Sequence, residues 1–369
     1  MDPWFALQRF LGTRELDAVV LNSYQAVTHF AGTNLLSQLL LPDRLTYLLV
    51  TRTGVSLVTC NLEASQARAQ SGIQRVAEYV EFEEPPESCL ARELVRHSLA
   101  PAKIGVKARR LPGHSRDEIV ALLPGLELVP IDDDIQLLQT FKYDKIRDRL
   151  AGATCATQKA IDEAVAAARH TSTELDVVSA IISGISGDGG VPVFCFFGSG
   201  PRTVLGHPEG RDVRLERGTV WRTDVGARFD GGVMSDVARC GVVGEPNPRQ
   251  ERAFATIQAA QRAGFEPLRP GATAADVYAA VRTTIREAGY DWDVPHVGHG
   301  LGVGVHEEPV FSPGNQTVLS PGMVVNVEPM LFLVDSGGEA FHTEDLAVVT
   351  ESGHRLVTAP QTELLRIGS

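Results

Sequence analysis

Short apolar runs of strand length alternate with helical patterns through the first part of the chain. The strand-like runs are rich in β-branched and aromatic residues, and they are Leu16–Leu21, Leu45–Val50, Val55–Cys60, Ile104–Val106 and Leu126–Val129. Residues 63–70 and 115–123 lie between these runs and suit helices. The alternation predicts a small α/β domain over residues 1–145, in which helices cover a sheet. The acidic run Asp132–Asp134 and the polar residues up to Lys145 predict a linker to a second domain.

The second domain is predicted over residues 146–369, and it begins with helices. Residues 146–168 are rich in alanine, a strong helix former, and contain no proline. Thr171-x-x-Glu174 has the form of a capping box, and Thr273-x-x-Asp276 begins a later helix that we expect to end at Gly289. Short apolar stretches separated by glycine-containing turns predict β-structure in much of the remainder. The whole chain is therefore predicted to be an α+β protein of two domains.

Composition excludes several classes of protein. The 369 residues include 34 Lys and Arg against 46 Asp and Glu, a net charge of −12, and no basic run suits a phosphate backbone or an anionic membrane. No apolar stretch approaches the ~20 residues that span a bilayer, and the first four residues lack the basic flank and long apolar core of a signal peptide. Five scattered cysteines without a Cys-x-x-Cys pair favour reduced thiols. We therefore expect a cytoplasmic protein that binds neither nucleic acid nor membrane.

Two aspartates flank a strong hairpin-turn signal. Asp224 and Asp236 lie on either side of residues 228–232, whose Asp-Gly-Gly sequence is typical of a tight turn. A loop centred on Asp230 would place the two aspartates directly opposite each other, with their Cβ atoms ~4.5–5.5 Å apart. Carboxylates that close repel unless protons or cations lie between them. The alternative is a different register, in which one aspartate faces solvent.

Two glutamates repeat this arrangement. Glu328 and Glu344 lie symmetrically about Ser336, beside Gly337 and Gly338, so a hairpin here would bring a second carboxylate pair together. Glu328 follows an apolar run that implies burial, and a buried, unpaired carboxylate is costly. It is therefore expected to be paired or bound to a metal. No Lys or Arg lies nearby in the sequence, which weakens the alternative of a buried salt bridge.

Residues 296–307, HVGHGLGVGVHE, carry three histidines. Glycine at every second position from 298 to 304 leaves one face of the backbone bare, so another group can approach it closely. The pattern is neither a dinucleotide fingerprint nor a phosphate-binding loop. A single histidine is more often structural than a ligand, but three within eleven residues favour a functional site.

Four carboxylates and one imidazole together form a set of hard or borderline donors. Such a set suits Mn²⁺, Co²⁺, Fe²⁺ or Zn²⁺ in a two-metal site, and not a cysteine-rich structural zinc. Two ions ~3.5–4 Å apart can share a hydroxide and polarise a carbonyl or phosphoryl oxygen. His207, His306 and His342 would then be free to orient a substrate or to stabilise an oxyanion. A Ser-His-Asp hydrolase is the weaker alternative, because no Gly-x-Ser-x-Gly motif occurs.

Five motifs, in their order along the chain, resemble the pita-bread metallopeptidases, the superfamily of prolidase, Xaa-Pro aminopeptidase and methionine aminopeptidase. They are TDVGARFDG, SDVAR, VGHGLGVGVHEEP, VNVEPM and TEDLAVVT. Residues 1–145 resemble the creatinase/prolidase N-terminal domain, through LDAVV and HFAG, and residues 146–369 resemble the catalytic domain. The presence of the N-terminal domain favours the prolidase branch.

The resemblance implies that two divalent ions are bound per subunit, preferably Mn²⁺, with Co²⁺ or Zn²⁺ as alternatives. The implied ligands are Asp224, Asp236, His299, Glu328 and Glu344. Asp236 and Glu344 would bridge the two ions, and Asp224 would chelate one of them. His299 and Glu328 would bind the other. The family also implies a homodimer.

The resemblance also implies catalytic roles. Glu328 would take the proton from the bridging water, and His306 would contact the scissile peptide. His207 would help to hold the substrate and its tetrahedral intermediate. The implied reaction is hydrolysis of the bond before proline, with an Xaa-Pro dipeptide preferred over a longer peptide N-terminus. An Xaa-Pro aminopeptidase is the main alternative, and a creatinase-like amidinohydrolase or a non-catalytic binding scaffold are the others.

Three departures from the family pattern bear on the substrate class. The two aspartates are twelve residues apart where the family usually has eleven, and we expect the turn at Gly231 and Gly232, or a bulge, to absorb the extra residue. His342, a predicted substrate-binding residue, stands where many members have arginine. Ala238 stands where many have threonine. The five implied metal ligands are intact.

Overall fold

Two compact units, Met1–Gln139 and Thr140–Ser369, make up the computed structural model. The structure describes residues 3–41, 43–334 and 338–368. The units divide between residues 139 and 140, whereas the sequence placed the division after residue 145. Each unit has its own buried apolar core.

A six-stranded sheet with helices on both faces forms the first unit. Its strands lie in the order β4-β3-β2-β1-β5-β6 and are β1 (Ala18–Leu21), β2 (Tyr47–Thr51), β3 (Val55–Cys60), β4 (Arg75–Tyr79), β5 (Lys103–Val106) and β6 (Glu127–Pro130). Its helices are α1 (Trp4–Thr13), α2 (Tyr24–Ala31), α3 (Ser37–Leu40), α4 (Ala64–Ser71), α5 (Pro86–Arg96), α6 (Gly113–Leu122) and α7 (Asp132–Thr140). Val19 and Leu21 pack in one core and Ala18 and Val20 in another, because successive side chains of a strand point to opposite faces. All five predicted strands and both predicted helices of this unit are confirmed, and only β4 among its strands was not predicted.

The predicted linker at Asp132–Asp134 is wrong, because these residues begin helix α7. Asp132 is buried, and its carboxylate accepts hydrogen bonds from the backbone N–H groups of Ala108 (2.9 Å) and Arg109 (3.1 Å). Acidic residues are favourable in the first turn of a helix, where backbone N–H groups lack partners. The acidic run therefore marks a helix start and not a linker.

Among its described residues, the second unit contains three sheets and four long helices. The helices are α8 (Asp144–Ala167), α9 (Glu174–Gly187), α10 (Pro248–Phe265) and α11 (Ala274–Glu287). A four-stranded sheet has the order β15-β9-β8-β7, from strands β7 (Val191–Ser199), β8 (Val220–Arg228), β9 (Met234–Val243) and β15 (Leu365–Ile367). The other strands pair as β10-β13-β14 and β11-β12, with bounds β10 (Val324–Val327), β11 (Met330–Leu333), β12 (Glu339–His342), β13 (Asp345–Thr350) and β14 (Gly353–Leu356). Helices α8 and α9 pack in one core against β8 and β9, and α10 and α11 pack in another against β10 and β13.

Two capping boxes were predicted at helix starts of this unit, and the structure corrects the position of one of them. Thr273 and Asp276 form the predicted capping box, and Gly289, with φ of 90°, follows the end of α11. The predicted box at Thr171 and Glu174 is wrong, because Thr173 caps α9 and Asp176 reciprocates. Glu174 does not cap the helix because its carboxylate is buried and accepts hydrogen bonds from Ser199 and Arg202.

Candidate metal centre

The β8–β9 hairpin brings two aspartates to one face, but not directly opposite each other. Asp224 pairs with Ala238, and Asp236 pairs with Gly226, so the aspartates are diagonal neighbours. The predicted register is therefore wrong by two residues. Its physical cause is a turn centred on residue 231, where Gly231 and Gly232 both adopt a φ of 76°. The strands pair without a bulge, so this turn accommodates the twelve-residue spacing.

Diagonal placement still allows the carboxylates to meet. Side chains two residues out of register lie on the same face of a sheet, within reach of one another. One oxygen from each of Asp224, Asp236 and Glu344 lies within 4.8 Å of the other two. The inference that carboxylates converge here is therefore retained with a corrected register.

The second ribbon has the predicted register. Met330 pairs with His342 in β11–β12, and Val327 pairs with Asp345 in β10–β13, so both ladders are symmetric about position 336. The predicted turn residues Ser336 and Gly337 lie outside the described residues. Glu328 and Glu344 face each other between the two ladders, and both are buried.

His299 is held against this ribbon by backbone pairing. The N–H groups of Asn326 and Glu328 donate to the carbonyls of His299 and Val297, each at 2.8 Å. The buried His299 ring then places Nε2 3.2 Å from Glu328 Oε1, 3.8 Å from Asp236 Oδ2 and 3.9 Å from Glu344 Oε1. Nδ1 lies 3.1 Å from the carbonyl of Gly300. A proton on Nδ1 leaves the lone pair of Nε2 directed at the carboxylates, as metal-binding histidines require.

The glycine-lined face of residues 298–304 is occupied by the chain itself. A Cβ at Gly298 would meet the carbonyl of Asn326, and one at Gly300 would meet the carbonyl of Glu308. A Cβ at Gly302 would meet the Glu307 carboxylate, which is also bonded to the N–H of Gly304 at 2.8 Å. Glycine is thus required for close self-packing that fixes His299.

The five converging groups are four carboxylates and one imidazole, so negative charge exceeds positive charge in the site. Protons alone compensate this excess poorly. Asp236 Oδ1, Glu328 Oε1 and His299 Nε2 are buried and have no hydrogen-bond partner among the described residues. Burial, together with the charges of neighbouring carboxylates, raises the pKa of Asp236 and of Glu344 well above the ordinary range. Burial also raises the pKa of Asp224. Unpartnered oxygen and nitrogen donors in a carboxylate-rich site fit divalent cations.

Glu328 behaves differently from the other carboxylates. Burial alone would raise its pKa, but its electrostatic interaction with His299 and the close approach of the His296 and His342 rings lower it well below the ordinary value. Glu328 is therefore an anion while its neighbours tend to hold protons. This difference sets Glu328 apart from Asp236 and Glu344 as an ionised carboxylate that can accept a proton.

Family comparison agrees with this geometry. The chain matches metallopeptidase family M24 over residues 148–351 and the creatinase/prolidase N-terminal domain over residues 5–138. The chain belongs to metallopeptidase family M24. Its second unit is accordingly the pita-bread catalytic domain, and divalent metals belong to the chemistry of this family.

Individual relatives cover much or all of the chain. A probable dipeptidase, PepE, of Mycobacterium tuberculosis is 33% identical over 262 residues, which are 64% of this chain and 68% of that protein. The Xaa-Pro dipeptidase of Pyrococcus furiosus is 27% identical over 97% of this chain and 98% of its own length. The solved structure of the prolidase from Pyrococcus furiosus superposes with a TM-score of 0.82 at 26% identity, covering 96% of this chain and 99% of that one.

Four further histidines surround the five groups in this M24 chain. The His306 ring stacks on His299 with 3.8 Å between centroids, and His207 lies 4.8 Å from the Phe196 ring. His342 Nε2 lies 3.4 Å from Glu328 Oε2, and the ring is buried. His296 Nδ1 lies 3.4 Å from Glu328 Oε1. The structure therefore places His296, His306 and His342 against the five groups, and His207 beside Phe196, the cross-strand neighbour of Asp224.

Two contacts of the site were not predicted. His296 belongs to the histidine segment, but the sequence assigns no role to it or to Asn326. Asn326 Nδ2 donates to Glu344 Oε1 at 2.6 Å. The available signal was an asparagine within the buried apolar run before Glu328, because a buried amide needs a partner.

The metal-free M24 protein is expected to lose stability as the pH rises above about 5, the upper end of the ordinary carboxyl range. Asp236 and Glu344 have folded pKa values above the ordinary 3.8 and 4.5, so their stabilisation is complete below those values and is lost as pH rises through the raised ones. His306, whose pKa burial and His299 lower to about 4, is neutral throughout this window. Thermal unfolding with a chelator, against unfolding with Mn²⁺, measures the effect.

Divalent ions should remove that loss, because they replace the protons on the carboxylates. We therefore expect the stabilisation by Mn²⁺ to grow with pH. A melting temperature of the metal-free protein that stays constant or rises as the pH is raised above about 5 would contradict the assignment of raised pKa values.

Proposed function

We propose that the chain is a dinuclear-metal peptidase that hydrolyses the bond before proline, with Xaa-Pro dipeptides as preferred substrates. The observation that carries this proposal is the pair of ligand groups that share Glu344. One group is Asp224, Asp236 and Glu344, and the other is His299, Glu328 and Glu344. Two three-donor groups joined by one carboxylate fit two ions bridged by that carboxylate.

The proposed roles combine these donor groups with what the family resemblance implies. Asp224, Asp236 and Glu344 would hold one ion and His299, Glu328 and Glu344 the other, with Asp236 as a second shared carboxylate. Two divalent ions held here lower the pKa of a bound water and polarise the peptide carbonyl. Mn²⁺ is the proposed ion, with Co²⁺ and Zn²⁺ as alternatives, because the donors are mostly carboxylate oxygens.

The ligand Glu328 and histidines outside the ligand set would move protons and hold the substrate. Glu328, kept anionic by its histidine neighbours, would accept the proton of the attacking water. His306, exposed and neutral, contacts the scissile peptide, and His207, also exposed, holds the substrate and its tetrahedral intermediate. His342 was predicted to contact the substrate, and its burial against Glu328 supports a role exerted through that carboxylate.

The substrate class rests on the relatives. Two of them are named Xaa-Pro dipeptidases, from Pyrococcus furiosus and Pyrococcus horikoshii, and each match covers at least 96% of this chain. The full-length match includes the N-terminal domain, which supports the prolidase branch over a single-domain aminopeptidase.

A cleavage panel tests this proposal. With Mn²⁺ or Co²⁺ present, we expect release of amino acid from Xaa-Pro dipeptides, weaker cleavage of Xaa-Pro-Yaa peptides, and none of matched Xaa-Ala peptides. Faster cleavage of the longer peptides would favour an Xaa-Pro aminopeptidase. No cleavage of any Xaa-Pro peptide by metal-loaded protein would contradict the proposed substrate.

We further propose a cytoplasmic homodimer whose partners are small peptides, and neither nucleic acid nor membrane. Among the described residues, no helix is long and apolar enough to cross a membrane. The five cysteines are free, in keeping with a reducing compartment.

Exposed apolar residues in the first unit, Leu39–Leu41 and Phe82, the latter 97% exposed, support association with a second copy. Sedimentation of the wild type against Phe82→Ser tests the dimer.

A further inference from the structure

An arginine is buried in the strand that carries Asp224. Arg222 lies in β8 two residues before Asp224, and only 1% of its surface is exposed. In the part of the chain that the structure describes, no carboxylate lies within ion-pair distance of its guanidinium. A buried cation without a counter-charge is costly unless its N–H groups are bonded. The position of this side chain therefore needs an explanation.

All of the hydrogen bonds of Arg222 go to backbone carbonyls of one loop. Its Nε donates to the carbonyl of Thr203 at 2.6 Å, and its Nη2 donates to the carbonyls of Gly206, at 2.7 Å, and Leu205. These carbonyls lie in the four residues directly before His207. Because guanidinium N–H groups are fixed in one plane, bonds to several carbonyls define the course of this loop.

A buried carboxylate holds the two ends of the same loop. Glu174, fully buried at the start of α9, accepts from the N–H and hydroxyl of Ser199, both at 2.8 Å. It also accepts from the N–H of Arg211 at 3.1 Å and from Nε of Arg202 at 3.2 Å. The loop from 199 to 211 is thus anchored at both ends, while Arg222 holds its middle.

His207 depends on this support for its position. Its ring is exposed and lies 4.8 Å from the ring of Phe196, which pairs with Asp224 across β7 and β8. The backbone on either side of residue 207 is held by the N–H of Phe197, which donates to the carbonyl of Pro208 at 2.8 Å, and by the carbonyl of Gly206 bonded to Arg222. A displacement of about 1 Å at a group that acts on substrate costs on the order of 100-fold in rate.

We propose that Arg222 is a positioning residue for His207, acting through the carbonyls of Thr203, Leu205 and Gly206. The inference rests on the proposed function, because it takes His207 to act on the bound peptide. Arg222 itself touches neither substrate nor metal in this role. Its removal should therefore act through His207 and leave the metal ligands filled.

A double-mutant cycle tests the dependence on His207. We expect Arg222→Met to lower kcat/KM for an Xaa-Pro dipeptide about 10- to 100-fold, with two ions still bound. In a His207→Ala background the same substitution should change kcat/KM less than about threefold. Arg222→Lys, which keeps the charge and part of the bonding, should recover part of the loss. Equal effects of Arg222→Met in both backgrounds would overturn the proposal.

Hydrogen–deuterium exchange provides a readout that needs no activity. Arg222→Met, and to a smaller degree Arg222→Lys, should raise exchange in a peptide covering residues 200–210. The matched control is Arg366→Met, which removes an exposed arginine from the same sheet and should leave both readouts unchanged. Unaltered exchange in both Arg222 variants would contradict the proposal that Arg222 holds the loop before His207. An inactive wild type with raised exchange in the variants would contradict the proposed function alone.

Discussion

The Asp236→Asn variant should lose at least about a thousandfold in kcat/KM, the largest effect we expect from any single substitution. Asp236 contributes to the ligand group with Asp224 and Glu344, and its Oδ2 also lies 3.8 Å from His299 Nε2. An amide keeps the shape of the side chain but has one oxygen and no charge, so it cannot bridge two cations. Metal content by mass spectrometry should fall from two ions per chain to one or fewer.

The matched control for this variant is Asp230→Asn. Asp230 lies in the turn of the same β8–β9 hairpin, with its side chain 88% exposed in an ion pair with Arg149. Exposed pairs contribute little to stability, so activity and metal content should match the wild type. Wild-type metal content in Asp236→Asn would show that Asp236 is not a bridging ligand.

Replacing Glu328 with glutamine should separate catalysis from metal binding. The amide oxygen can still coordinate an ion, but the side chain can no longer accept a proton. General-base catalysis contributes roughly 10²- to 10⁴-fold, so we expect kcat to fall by that range while KM changes little. Metal content should stay near two ions per chain, measured on the protein used for kinetics.

Glu351→Gln is the control for loss of one carboxylate, since Glu351 is exposed in the turn after β13. It should behave as the wild type does. A Glu328→Gln enzyme with unchanged kcat would exclude Glu328 as the base. Loss of metal together with activity would instead assign it to binding alone.

The two hairpins show which parts of the site the sequence could predict. Around position 336 the symmetry of Glu328 and Glu344 predicts the right register. The β10–β13 and β11–β12 ladders on either side of these two glutamates are both symmetric about the same position. Around Asp230 the same reasoning failed by two residues. Symmetry in sequence locates a turn only roughly, and the left-handed conformation of Gly231 and Gly232 sets the true centre.

Long-range polar contacts explain what could not be predicted. The hydrogen bonds of Arg222 join residues 16 to 19 positions apart in the sequence. The sequence of its own strand does not indicate which carbonyls accept these bonds. The acidic run at Asp132 was ambiguous for a related reason, since its partners Ala108 and Arg109 belong to another segment. Periodicity reports burial and local structure, whereas the choice of hydrogen-bond partner depends on tertiary packing.

The self-packed glycines around His299 set limits for engineering of substrate range. Because the carbonyls of Asn326 and Glu308 lie where side chains at Gly298 and Gly300 would go, saturation libraries at these positions should yield mostly inactive clones. In the segment before His207 the bonds to Arg222 use backbone carbonyls, so the exposed residues Leu205 and Gly206 can vary without removing those bonds. Directed evolution toward bulkier peptides is therefore better aimed at that segment than at the neighbours of His299.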